Sequence, residues 1–315
     1  MTGRLAEAAD HYAEALALNR RLGALGGQAV NLGNLGGVYS ELGRLAEAAD
    51  HHGQSLALYR KIGSRSGEAL ALSNLAETLH GLGRLVEAER HLVESLTLRR
   101  EVGDRGGEAD TLTMLAVVQR DSGRPAESRQ LAEAALALAR EIGHQRLAAN
   151  ALNTLGTIHL RLGDGRRAVD LHGAALREIG DTTGRYADVE AHLGIARAEH
   201  LLGDPDAAGR TALRALGLAR TAGYRVLEGQ ALTTLAEVSL DSGSLDRAAT
   251  LGEEALASHR DTGHLMGAAQ AHAVLGRVRR QAGLLTAARA HWREAVRLYE
   301  EIGTTDADDV RTLLG

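Results

Sequence analysis

Gly43-Arg44-Leu45-Ala46-Glu47-Ala48-Ala49 returns along the chain, as Gly-Arg-Leu-Ala-Glu-Ala-Ala at 3–9 and as Gly-Arg-Leu-Val-Glu-Ala-Glu at 83–89. Weaker copies start at Gly123, Gly163, Gly203, Gly243 and Gly283, so eight glycines stand 40 residues apart. A second series, Gly23, Gly63, Gly103, Gly143, Gly223, Gly263 and Gly303, keeps the same period and misses one copy. Self-similarity at a fixed period of this size is the signature of a stacked array, in which each unit buries its apolar face against its neighbours. The chain of 315 residues is therefore expected to be a single solenoid over 1–315, whose length follows the number of units.

Each unit holds two amphipathic segments separated by the two glycine series. In the first full copy one segment runs from about Gly27 to Leu42, with Leu32, Leu35, Val38 or Tyr39, and Leu42 three and four residues apart. The other runs from about Arg44 to Ile62, with Leu45, Ala48, Ala49, Ser55, Leu56 and Ile62 on one side. That spacing is helical, and a glycine directly after each segment suits a left-handed C-terminal cap. Pro125 and Pro205, the only prolines, both lie two residues past a glycine of the first series. That is the first turn of a helix, where the missing N–H costs nothing. An all-α chain of about seven to eight helix-turn-helix repeats is expected.

Superimposing the copies exposes columns of small residues. One is Gly36, Ala76, Ala116, Gly156, Ala196, Ala236 and Gly276; others start at Ala8, Ala48 and Ala88, and at Ala15, Ser55 and Ser95. A leucine column, Leu35, Leu75, Leu115, Leu155, Leu235 and Leu275, accompanies them, with Ile195 in its fifth place. Small faces let helices approach to about 8 Å, and the leucines fill the space beside them. Leu35-Gly36 with Tyr39, followed by Ala48, His52 and Ser55, resembles the tetratricopeptide repeat. The 40-residue period and Asn34-Leu35-Gly36 are similar to the longer-helix subclass found in kinesin light chains and in large bacterial regulators. The resemblance covers essentially the whole chain and implies a right-handed superhelical α-solenoid. Leu79, Gln119, His159, Glu199, Ser239 and Arg279 stand in place of the tyrosine, and Leu92, Ala132, Ala212 and Gly252 vacate the second aromatic position. Looser packing is expected there.

Composition narrows the chemistry. The chain has no Phe, one Trp and six Tyr, so Leu, Ala, Val and Ile must build the core. Net charge is −5 with acids and bases interspersed, which lacks the basic stripe of a nucleic-acid surface. Absent cysteine excludes disulfides, zinc–thiolate sites and thiol nucleophiles. No apolar run approaches the ~20 residues of a membrane span, and no signal peptide is seen; a cytoplasmic location is expected. Phosphate-loop, His-Glu-x-x-His and Gly-x-Ser-x-Gly motifs are missing, so no enzyme activity, cofactor or metal is expected. His11, His51, His91 and His291 share one repeat phase, but neighbouring copies lie on the order of 10 Å apart, too far for one zinc with bonds of ~2 Å.

Two irregularities interrupt the period. Arg177-Glu178-Ile179-Gly180 brings the glycine three residues early, which shortens that second helix and lengthens the loop near 176–186, as a plain loop variation or a hinge. The chain also starts on a second helix, 4–22, with no first helix before it. This reads as the C-terminal part of a larger signalling or regulatory protein, or as a face for homodimer pairing through 4–22. Residues 304–315 read as an acid-started capping helix.

The resemblance implies that first helices line a concave groove, where a peptide or protein segment binds. Carried over by register, the candidate ligand-binding residues are Asn34, Asn74 and Thr154, with Thr234, in one column, and Glu77, Thr157, Arg197, Glu237 and Arg277 in the next. His80, Arg120, His200 and Arg280 form a third, with Asn150 in the neighbouring column of Asp110, Glu190, Gln230 and Gln270. In the resembled subclass the Asn of Asn-Leu-Gly bonds the backbone of an extended peptide; here only Asn34 and Asn74 keep it. The expected function is a peptide- or protein-binding scaffold or ligand-sensing module, with self-assembly as the alternative. An enzyme remains a further alternative with no motif behind it.

Overall fold

Apart from the one between Ile179 and Arg185, the connections between helices are tight turns of similar build. The computed structural model describes residues 2–180 and 185–314, with side-chain detail from residue 5 and again from 186. From Gly23 at 67° through Gly303 at 80°, the glycines of both series hold positive φ; Gly3 lies within the first helix. Among the described residues the chain forms sixteen α-helices and no strand. The first full repeat pairs α2 (Leu25–Glu41) with α3 (Leu45–Ile62). The next pairs are α4 (Arg65–Gly81) with α5 (Leu85–Val102), and α6 (Arg105–Asp121) with α7 (Pro125–Glu141). Then come α8 (Gln145–Arg161) with α9 (Gly165–Ile179), and α10 (Arg185–Leu201) with α11 (Pro205–Ala222). The last are α12 (Arg225–Asp241) with α13 (Leu245–Asp261), and α14 (Leu265–Gln281) with α15 (Leu285–Ile302). A second-type helix, α1 (Thr2–Arg21), precedes them and the short α16 (Asp306–Leu314) follows.

Local sequence explains the helix ends. Pro125 opens α7 and Pro205 opens α11, as a residue with no N–H to satisfy should. Ser64, Asp104, Asp164 and Asp204 each accept the backbone N–H three residues on, capping α4, α6, α9 and α11; such a cap is worth about 1 kcal/mol. The short second helix is α9, at 15 residues against 17 or 18 for the complete pairs. The loop that restores the phase, 181–184, lies outside the described residues. Among the described residues no helix is long and apolar enough to cross a membrane.

Packing follows a volume exchange between paired helices. Where the second helix carries a ring, the facing first-helix residue is glycine. A Cβ on Gly36 would lie 2.5 Å from His52, one on Gly156 2.5 Å from His172, and one on Gly276 2.2 Å from Trp292. Where the ring is missing, the glycine becomes alanine: Ala76 faces Leu92, Ala116 faces Ala132, Ala196 faces Ala212, all at 0% exposure. The vacated aromatic positions are therefore not looser; the extra methyl and a closer approach take up the space, as dense interiors require. Ser55 and Ser95, in a column otherwise small and apolar, are buried and donate to the carbonyls of Ala29 and Ala69 at 2.8 Å.

First helices of successive repeats touch one another, α2 with α4, and so on to α12 with α14, while second helices make no comparable row of contacts. The first helices thus occupy the shorter inner radius, and the array curls around them. The curl closes on itself. Gly43 lies against Asp261 and Thr262, with a would-be Cβ 2.5 Å from the Thr262 Cα, and the Gly43 carbonyl is 3.6 Å from a Cβ built on Gly263. Gly83 meets Ile302, and Gly123 meets Thr305. Residues 43 and 263 are about 220 apart, so one superhelical turn takes about five and a half repeats. Ile302, Leu265 and Met266 join the apolar cluster of Ala76, Leu79, Leu85, Leu92, Leu115 and Val118 from α4, α5 and α6. This seam closes the groove of the first helices into a lumen.

Candidate ligand-binding lumen

Polar side chains of the first helices project into the lumen, and those three repeats apart face each other across it. Glu77 of α4 and Glu190 of α10 sit on opposite walls close enough for their charges to interact. Glu77 is exposed and Glu190 partly so. Burial raises the Glu190 carboxyl to about 7; Arg120 and Arg197 oppose this and Glu77 adds to it. Glu77 is raised by burial and by Asp110, and Asp110 is itself raised by burial. The phenol of Tyr186 lies near both glutamates and packs edge-on against Tyr224, 5.3 Å between ring centres. Glu77, Asp110 and Glu190 have no hydrogen-bond or ion-pair partner among the described residues.

Two turns further along α10 stands Arg197. Its Nε donates to the Thr234 hydroxyl at 3.2 Å, and that hydroxyl, 1% exposed as part of Thr234, donates to the Gln230 carbonyl at 3.0 Å. The guanidinium is thereby held in one orientation with its terminal nitrogens free among the described residues. Burial lowers its pKa, with Glu237 opposing. Glu237, raised by burial with Arg197 and Arg277 opposing, lies beyond it and is likewise unpaired.

The remaining residues expected from the sequence divide into engaged and free. His80 and Arg120 are held by Asp121, at 2.9 Å and 2.8 Å. Arg161 reaches the same carboxylate at 3.4 Å and Asp306 across the seam at 3.3 Å. Burial works against charge on Asp121, but Arg120 and the hydrogen bonds from His80 and Arg120 prevail and hold its carboxyl well below the usual range. His200 and Arg277 share Asp241 in the same way, at 2.9 Å and 2.7 Å. Thr154 and Thr157 turn their hydroxyl hydrogens to the carbonyls of Asn150 and Asn153 in their own helix. Arg280 lies over the Trp292 ring, 5.5 Å from its centre. Asn34 and Asn74 keep side-chain amides with no partner among the described residues. His91 and His11 lie apart, His51 bonds its own helix at the Glu47 carbonyl, and His291 pairs with His272 at 2.9 Å.

Asp121, Arg161 and Tyr186 were not singled out by sequence reasoning, whereas Glu190 stood in a column beside the expected groove residues. One signal was present: a histidine followed 41 residues later by an aspartate occurs twice, as His80 with Asp121 and His200 with Asp241. Nothing in the sequence marks the cross-lumen pair.

The family model for the tetratricopeptide repeat matches residues 1–61, 67–141 and 109–177, more than half of the chain. The chain is a tetratricopeptide repeat protein. No curated protein sequence matches this TPR chain. Solved structures share its fold at low identity. A Rap protein complexed with Competence and Sporulation Factor is 13% identical, with a TM-score of 0.66 over 100% of this chain and 97% of that one. The Rap conjugation gene regulator of plasmid pLS20, solved with the Phr* peptide, is 12% identical, with a TM-score of 0.73 over 91% of this chain and 76% of the other. Aspartyl phosphate phosphatase F from Bacillus subtilis is 10% identical, with a TM-score of 0.63 over 92% and 76%.

Proposed function

We propose that this TPR protein binds an extended peptide or protein segment in its lumen and acts as the ligand-sensing part of a cytoplasmic regulatory system. The observation that carries this is a row of polar groups along the first helices without partners among the described residues: the amides of Asn34 and Asn74, the carboxylates of Glu77, Glu190 and Glu237, and the terminal nitrogens of Arg197, of which Asn34 and Glu77 are exposed and the others half-buried. Half-buried charged and amide groups without protein partners are available to a ligand, and an occupant with a peptide backbone and polar side chains would pair with them. One Rap protein of similar fold was solved with the Phr* peptide and another with Competence and Sporulation Factor, which supports ligand binding by the same fold here.

The test is selection from a randomised hexapeptide library on the purified full chain, followed by calorimetry on the enriched peptides. Asn34→Ala with Asn74→Ala is expected to weaken binding several-fold, from about 1 kcal/mol per lost backbone hydrogen bond. The melting temperature should stay close to that of the parent, because neither amide holds the fold. Unchanged affinity removes the N-terminal half of the lumen from the site.

A further inference from the structure

A charged group fixed in an enclosed channel and left unpaired constrains its ligand more than a solvated one does. The lumen holds two such features of opposite sign on one helix. At the first level, Glu77 of α4 and Glu190 of α10 face each other near the Tyr186 ring, with Asp110 of α6 near Glu77 alone, and none of the three acids has a bonded cation among the described residues. At the second level, the Arg197 fork is pinned through Nε by the buried Thr234 hydroxyl and offers its terminal N–H groups to an acceptor. Arg120 cannot serve either level, because Asp121 occupies it.

Resting on the peptide reading above, we infer that the ligand is a short amphoteric peptide. Its basic side chain or amino terminus sits between Glu77 and Glu190 against Tyr186, and its carboxylate is gripped by Arg197. Helix α10 sets the spacing. Glu190 and Arg197 are seven residues apart on it, about 10 Å at 1.5 Å rise per residue. An extended chain covers that distance in about three residues. The acids favour a cation because two carboxylates on facing walls repel each other, and a positive group between them offsets that repulsion. The aromatic ring beside them adds a favourable face for it. The pinned guanidinium requires a carboxylate because its two free N–H directions match the two carboxylate oxygens. Neither level favours an apolar or a single-signed peptide.

The hexapeptide selection tests this directly. Enriched sequences are expected to pair Lys or Arg with Asp, Glu or the terminal carboxylate three to four positions away. A synthetic peptide of that pattern should lose about tenfold or more in affinity on Arg197→Gln. Arg197→Lys keeps the charge without the fork and should recover part of it. Glu77→Gln with Glu190→Gln should remove the preference for the basic residue while still binding peptides through Arg197. Helicity by circular dichroism confirms that each variant is folded. Enrichment of peptides without the paired charges, or variants that bind the patterned peptide as the parent does, overturns the amphoteric assignment and leaves the peptide reading standing. No enrichment over a bare support overturns both.

Discussion

Seven turns join a first helix to its second helix, at Gly43, Gly83, Gly123, Gly163, Gly203, Gly243 and Gly283, and their backbones are nearly interchangeable, with φ between 74° and 82°. Their surroundings are not. Gly43, Gly83 and Gly123 press against the last repeats of the array, whereas a Cβ on Gly163, Gly203, Gly243 or Gly283 would meet nothing within 4 Å. The same split separates two aspartates of one repeat phase. Asp121 is buried at the seam among Arg120, His80 and Arg161, while Asp241 holds His200 and Arg277 at an exposed edge. The repeat writes the turn. Its position along the superhelix decides whether that turn carries a tertiary contact.

The largest divergence between the two edges is expected at the aspartates. Asp121→Asn leaves Arg120 and Arg161 facing each other with little water and no anion of Asp121 between them. Breaking a buried ion cluster by removing one member costs about 3–5 kcal/mol. Asp241→Asn, at 38% side-chain exposure, should cost about 1 kcal/mol or less. Urea unfolding followed by helicity measures both, and equal midpoints would mean that the seam contributes nothing special. Next comes the glycine pair. Gly163→Ala should cost about 1–2 kcal/mol, the penalty of a Cβ in the left-handed region. Gly43→Ala carries the same penalty and also drives a methyl to within 2.5 Å of the Thr262 Cα, which the backbone can relieve only by parting the seam. An added loss of about 1–3 kcal/mol is expected, with a larger radius of gyration in X-ray scattering for the Gly43 variant alone.

This contrast marks the boundary of what the sequence states. Local features were legible because each is decided within one repeat. The period placed the helices to within about two residues, Pro125 and Pro205 fell on helix starts, and the early Gly180 announced the short α9. The apolar and small columns marked the packing faces for the same reason. The exchange of Gly36 for Ala76 as His52 becomes Leu92 was open to view in the columns, but it emerges only when two columns are compared row by row. The closure was not legible. It depends on a small rotation per repeat summed over five and a half repeats, and no residue encodes that sum. Contacts whose meaning depends on closure, such as Asp121 beside Asp306's partner Arg161, or the facing of Glu77 and Glu190, therefore could not be read from the columns, although Glu77 itself was among the expected groove residues.

The smallest expected difference concerns protons. His264 and His144 do the same local work, each accepting a backbone N–H at the start of a first helix, from Gly267 at 3.1 Å and from Leu147 at 3.4 Å. His144 is exposed, whereas His264 follows the seam residues Thr262 and Gly263. Burial lowers His264 to about 3, helped by His259, His80 and Arg197 and opposed by Asp121. An unfolded histidine titrates near about 6.5. From that pH down to about 3 the unfolded chain therefore binds a proton that the folded chain refuses, and stability falls as pH falls. Above about 6.5 neither state is protonated and the difference vanishes. His264→Asn retains an oxygen acceptor for the Gly267 N–H but cannot take up the proton. The variant should match the parent at about pH 7.5 and exceed it at about pH 5 by about 1–2 kcal/mol, because about 1.4 kcal/mol accrues for each pH step below the unfolded titration point. His144→Asn, read at both pH values, corrects for the change of cap itself. A His264 variant whose advantage does not grow on acidification would place that ring in water, outside the closed seam.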